Sequence, residues 1–275
     1  MVQARIGHKQ IKNAKRSADE ASPYGTLDGI RRVLDNFSPP GGSFDPAGSW
    51  KHTYAIWLEE NAGPAGYFEI AREPSGGGIA LTVESAIAQS TGAVQQIKAK
   101  IQCAADALAT PKSWELESSF LDSSGRPVAA VRLTETARVS KGSIESQFGR
   151  AKGTRKLPLP FTSNWSLFEA VQRLPGPDAA ALRFALLEDL DLIKPNQRLS
   201  FAEKTSVSVA GGRDLALKGY ERIGEGALPY RYWVDDQHRL LFALTGPRAY
   251  VYDAEARGKI APGQNVKKGK RAKKG

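Results

Sequence analysis

The chain has 275 residues, of which 41% are hydrophobic and 25% charged, a composition that suits a folded globular protein and excludes a disordered one. Its formal net charge is +10, but the charge is unevenly placed: residues 1–20 contribute +3, residues 256–275 contribute +8, and residues 21–255 are left at −1. That distribution excludes a basic body of the kind that tracks a nucleic-acid backbone and assigns the basicity to the two ends.

Residues 1–24 are polar and read as a flexible lead. Residues 25–255 read as a single β-rich domain, and 256–275 as a basic disordered tail. The tail cations Lys267, Lys268, Lys270, Arg271, Lys273 and Lys274 are the expected contacts for a weakly bound polyanion. No window approaches the ~18 consecutive apolar residues of a transmembrane helix. The first 30 residues lack the apolar core of a signal peptide. The expected location is periplasmic or envelope-associated if a leader has been removed, and cytoplasmic otherwise.

In chain order, the first element is a short helix over Thr26–Phe37, with Leu27, Ile30, Val33 and Leu34 on one face and Thr26 as its cap. Ser38-Pro39-Pro40-Gly41-Gly42 ends it. From Trp50 the period changes to two: Trp50, His52, Tyr54, Ile56 and Leu58 alternate with Lys51, Thr53, Ala55 and Trp57. Further strands are expected over 66–72, 79–87, 95–103, 112–121 and 127–139. Gly76-Gly77-Gly78 and Asp122-Ser123-Ser124-Gly125 supply turns between them. The lone cysteine, Cys103, falls on the apolar side of its strand, which predicts a buried, inert thiol and allows no intrachain disulfide.

One helix interrupts the strands. Ser166 and Glu169 have the spacing of a capping box, Leu167, Phe168, Val171 and Leu174 form an apolar stripe, and Pro175-Gly176-Pro177 stops it. Residues 181–193 fit helix or strand equally. Strands resume over 197–209, 213–223, 228–235, 238–245 and 248–253, with Asp235–His238 as a hairpin. The expected fold is therefore mainly β: one large curved antiparallel sheet, a half-barrel, with a short helix near 166–174 on its concave face. A helix of about ten residues is unstable alone in water, and a curved sheet offers it one large apolar hollow.

Most catalytic signatures are missing. The three histidines, His8, His52 and His238, have no metal-site spacing, no CxxC pair exists, and no metal or cofactor is expected. There is no phosphate-binding glycine loop followed by a helix, and no GxSxG elbow. Glu115 and Glu117 share one face of a strand, which a glycosidase could use as a carboxylate pair with Asp235 in support. Alternation alone also predicts that pair as the solvent side of a half-buried strand, because Trp114, Leu116 and Phe120 take the other side. In Pro229–Asp236, Tyr230 and Tyr232 point one way and Arg231, Trp233 and Asp235 the other. Such aromatics stack on a ligand or pack as sheet core. The Asn-x-Ser sequons at Asn36 and Asn164 are accounted for by helix capping.

The pieces Asn164–Leu174 and Leu228–Leu244, set within residues 50–253, give an order of meander, short helix and second meander with Tyr232-Trp233-Val234-Asp235. In this the chain resembles the lipoprotein-localisation (LolA/LolB-like) half-barrel superfamily and bacterial envelope proteins of that shape. The resemblance implies an apolar or amphiphilic ligand held in the concave face. The expected function is a non-catalytic binding protein whose lining is Trp57, Trp114, Phe120, Trp165, Phe168, Tyr232 and Trp233, acting by burial of hydrocarbon at ~25 cal/mol per Å². The alternatives are a carbohydrate-active enzyme using Glu115, Glu117 or Asp235, and an assembly protein docked by its basic tails.

Overall fold

The structure is a computed structural model that describes residues 25–58, 63–178 and 180–259. The polar lead and the cationic tail residues 267–274 lie outside the described residues. The alternating segments form strands in chain order: β1 (Trp50–Leu58), β2 (Pro64–Ser75), β3 (Gly78–Ala88), β4 (Val94–Ala104), β5 (Pro111–Leu121), β6 (Leu133–Ser140), β7 (Ser143–Phe148) and β8 (Ala151–Lys156). After β9 (Phe161–Ser163) comes the helix, then β10 (Leu182–Glu188), β11 (Leu192–Val209), β12 (Arg213–Gly224), β13 (Ala227–Val234), β14 (Leu240–Thr245) and β15 (Arg248–Tyr252). Helices are α1 (Arg31–Leu34), α2 (Asn164–Ala170) and α3 (Ala256–Lys259). The last corrects the expectation of a disordered tail from residue 256, because Ala256 is buried and Arg257 pairs with Glu69 at 3.3 Å and Glu84 at 2.8 Å.

All fifteen strands belong to one sheet. β1 to β8 run outward from the centre as one meander, β15 back to β9 as another, and β1 pairs with β15 between them. Every pairing is antiparallel except β9 with β10. The antiparallel expectation thus fails at one joint, where the chain leaves β9 into α2 and must return on the same side. Residues 181–193 resolve as strand, hairpin and the start of another strand. The sequence reading missed β7, β8 and β9. β7 is only six residues long and alternates mostly polar side chains, β8 is heavily exposed, and β9 spans three residues, so none carries a clear apolar alternation in the sequence.

The sheet is strongly curled. Its two terminal strands, β8 and β9, are consecutive in sequence and joined by only residues 157–160. Five residues from β8 to β9 span at most about 18 Å even fully extended. Fifteen strands laid flat at ~4.8 Å would be far wider than that. Contacts tie the seam: Thr162 Oγ1 donates to the Leu108 carbonyl at 2.6 Å, Thr110 Oγ1 to the Phe161 carbonyl at 3.2 Å, and Arg155 pairs with Asp191 at 2.8 Å.

The sheet has two apolar faces, with α2 inside. Trp165 to Gln172 are all buried, and Leu167, Phe168, Val171 and Leu174 join one core with inward residues such as Tyr54, Phe68, Ile101 and Tyr220. The cap differs from the expected box. Ser163 is the N-cap, its Oγ accepting from Ser166 N at 3.0 Å, while Ser166 lies inside the helix. Glu169 is therefore free for another task, and Asn164 bonds to Asp189 instead of capping. Cys103 is buried as expected, and burial pushes its thiol up to about 12.

The second core lies on the outer face. The N-terminal helical segment places Ile30, Leu34 and Phe37 there against Trp233, Leu241, Phe242, Leu244 and Val251. Gly219 makes room for the Trp233 ring: a Cβ at that position would meet it at 2.6 Å. The β2–β3 hairpin turns at Gly76 and Gly77, with φ of +51° and +80°, the conformation for which glycine is suited.

Candidate functional site

Two ends of the sheet can be distinguished by where β1 begins, at Trp50, and where it finishes, at Leu58. At the Trp50 end the interior holds a polar lock. Glu169, fully buried on α2, accepts from Arg72 Nε at 2.9 Å, Arg173 Nε at 2.6 Å and Arg173 Nη2 at 2.8 Å. Arg72 Nη1 also donates to the carbonyls of Ala47 and Gly48. Gln172 accepts from Leu240 N at 3.0 Å and donates to the Phe168 carbonyl at 2.8 Å. Arg239 fastens the segment after α1 by donating to the carbonyls of Pro40 and Gly42 at 3.1 and 3.2 Å. Beneath that segment His52 packs between Trp50 and Phe44, with ring centroids 4.6 and 5.1 Å away. Burial, then the charge of Arg239, lowers His52 from 6.5 to about 3.

At the Leu58 end the interior is incompletely filled. A cavity of about 320 Å³ remains between the start of α2 and the second meander. Its apolar wall includes Phe68, Trp165, Phe168 and Leu228. Its polar wall is a single rung across four strands: Arg222 pairs with Tyr230, Tyr230 with Thr245, and Thr245 with Arg248. Because alternate residues of a strand share a face, this register aims all four side chains inward. Glu188, Asp189 and Lys194 from the β10–β11 hairpin complete the rim. Burial raises the Tyr230 phenol well above its ordinary value.

Of the residues expected to line the site, two do so, Trp165 and Phe168. Tyr232 lies one layer deeper, stacked on Tyr230 with centroids 4.8 Å apart. Trp114 and Phe120 have the inward parity but stand on β5, outside this cavity. Trp57 and Trp233 belong to the outer face, packed with the N-terminal helical segment. The expectation failed for these two because an outer face covered by a helix needs aromatics as much as the inner one does.

The carboxylate pair is also on the outer face. Glu115 sits opposite Lys100 and Glu117 opposite Lys98, and Glu117 pairs with Arg132 at 2.9 Å. This is a cross-strand charge ladder. Asp235 is far along the sheet, and its carboxylate accepts from Gln237 N and Arg239 N at 2.9 and 2.8 Å to shape a hairpin. The structure does not bring these three acids together. Among the described residues no cluster of His, Cys, Asp and Glu has metal-site geometry, and no helix is long and apolar enough to cross a membrane.

Arg222, Arg248 and Lys194 escaped the sequence reading. A signal was present. Arg222 follows Tyr220 by two, and Arg248 precedes Tyr250 by two, so both charges occupy the parity of inward aromatics.

The fold is thus one mainly antiparallel, strongly curled sheet of fifteen strands with a cavity of about 320 Å³ at its Leu58 end. No protein-family model matches the chain, and no curated protein matches it. Among solved structures it is similar to a beta-barrel-like protein of a domain of unknown function, DUF1849, from Brucella abortus. That similarity has a TM-score of 0.49 at 10% identity and covers 74% of this chain and 94% of the other.

Proposed function

We propose that this is a non-catalytic binding protein that holds an amphiphilic small molecule inside its curled sheet, the reading implied by the resemblance to lipoprotein-localisation half-barrels. The supporting observation is the cavity of about 320 Å³ beside Trp165 and Phe168, aromatic on one wall and polar on the other. Interiors are normally packed to near crystal density, so a space of this size is of the order used for small-molecule sites. Its aromatic wall would bury ligand hydrocarbon at ~25 cal/mol per Å². The chemistry required is binding and release, with no bond made or broken.

The neutral dye N-phenyl-1-naphthylamine tests the reading. It should bind saturably at one site per chain, with fluorescence enhancement. Thr245→Trp, which fills the cavity from β14, should abolish that binding while circular dichroism still reports the native sheet. Dye binding that does not saturate, or that survives the plug, would count against an interior site.

A further inference from the structure

We propose that the ligand carries an anionic head group, a carboxylate or a phosphate monoester, bound between Arg222 and Arg248; this rests on the amphiphile reading above and specifies its polar end. The observation is a pair of inward cations in one cavity that the chain itself leaves without an acidic partner. Arg222 is 3% exposed, yet its guanidinium is met by neutral oxygens: Gln197 Oε1 at 2.6 Å and the Leu228 carbonyl at 3.1 Å. It lies over the Tyr230 ring, 5.6 Å from the centroid. Arg248 donates to the Tyr250 hydroxyl at 3.0 Å and lies 5.9 Å from that ring's centroid.

Neither arginine forms an ion pair with a carboxylate among the described residues, whereas twelve other arginine and lysine side chains do. The two acids on the cavity rim are engaged elsewhere. Glu188 is held by Lys194 at 2.6 Å, and Asp189 accepts from Asn164 Nδ2 at 2.8 Å, acting on Arg248 only from beyond contact distance. A buried guanidinium matched by neutral groups alone is costly, and a bidentate anion is the partner that its geometry fits. The Arg72–Glu169–Arg173 lock shows the contrast within the same interior: there the chain supplies the anion.

The rung geometry also orients the ligand. With the head group on the β12–β15 wall, the hydrocarbon lies toward Trp165 and Phe168 on α2. The cavity volume suits one short chain or ring system better than a two-chain lipid.

Competition against the neutral dye tests the head group. Four probes share a twelve-carbon chain: dodecanoate, dodecyl phosphate, dodecanol and dodecyltrimethylammonium, all below their micellar concentrations. The anions should bind at least tenfold tighter than dodecanol, and the cation should bind weakest. The better of the two anions identifies the head group as carboxylate or phosphate. Arg248→Gln should reduce the preference for the anions over dodecanol at least fivefold. Arg222→Lys, which keeps the charge but loses the planar fork, should lower it by a smaller factor and serves if a fuller truncation at that buried site fails to fold. Equal binding of dodecanol and dodecanoate, or an anion preference unchanged in both variants, overturns the head-group assignment while leaving the amphiphile reading standing. Failure of the dye itself to bind overturns both.

Discussion

At the Trp50 end of the curled sheet the chain provides its own partners for buried charge; at the Leu58 end two arginines face a cavity without a carboxylate against them. Arg72 and Arg173 converge on Glu169, and Arg239 is fastened to the carbonyls of Pro40 and Gly42. Arg222 and Arg248 have comparable neutral contacts but a space of about 320 Å³ in front of them. The same short helix borders both regions, with Glu169 and Gln172 on one side and Trp165 and Phe168 on the other. The difference separates polar groups that hold the fold from polar groups that are available to a ligand. Counting inward charges cannot make that separation; asking which of them face unfilled space without a carboxylate against them can.

The sharpest way to break the contrast is to remove the anion from the locked end. Glu169→Ala leaves two arginines, one of them deeply buried, without a counter-charge and should cost about 3–5 kcal/mol in urea or thermal unfolding. A loss below about 1 kcal/mol would mean that the lock is not structural. On the cavity side of the same helix, Phe168 makes ring contacts with Phe68 at 4.8 Å and Tyr250 at 5.4 Å. Phe168→Ala should cost about 3 kcal/mol, the low end for a buried phenylalanine, because the site already adjoins unfilled space. It should also admit bulkier dyes than the parent protein does, and a parent-like size limit would argue that the cavity is not bounded by this ring.

A third prediction uses pH at the Trp50 end. His52 is held near 3 in the folded protein against an ordinary 6.5, so the unfolded chain takes up a proton first as pH falls. Its contribution to stability is complete above about pH 6.5 and is lost progressively from there down toward pH 3. At 1.36 kcal/mol per unit, about 2 kcal/mol should be gone by pH 5. Comparing denaturation midpoints of His52→Gln and the parent at pH 7.5 and 5 isolates this slope, and identical slopes would contradict it. The smallest effect belongs to the outer face. Glu117→Gln removes one member of an exposed charge ladder and should change stability by less than about 0.5 kcal/mol. Dye binding should be unchanged, since Glu117 is outside the cavity. A large effect of this variant on turnover of any glycoside would instead revive the carbohydrate-active alternative.

The sequence by itself determined the local geometry. Alternation over Trp50–Leu58, Ile79–Ile87 and Ile97–Cys103 specified strands and the face of each residue, because a pleated strand has a period of two and one-residue slips invert it. The turn residues Gly76 and Gly77 and the apolar stripe Leu167, Phe168, Val171 and Leu174 were equally legible. Parity does not say what covers a face. Trp57 and Trp233 read as ligand-binding aromatics in the sequence, but both pack in the outer-face cluster to which the N-terminal helical segment also belongs. Nor does it say which strands are neighbours. The rung of Arg222, Tyr230, Thr245 and Arg248 is assembled by pairing between strands, and the cavity by how far α2 fills the hollow. Whether an inward charge is matched depends on residues distant in sequence, as Arg72 and Glu169 are at a separation of 97. Only the tertiary structure decides such pairings, because they are set by long-range packing and have no period along the chain.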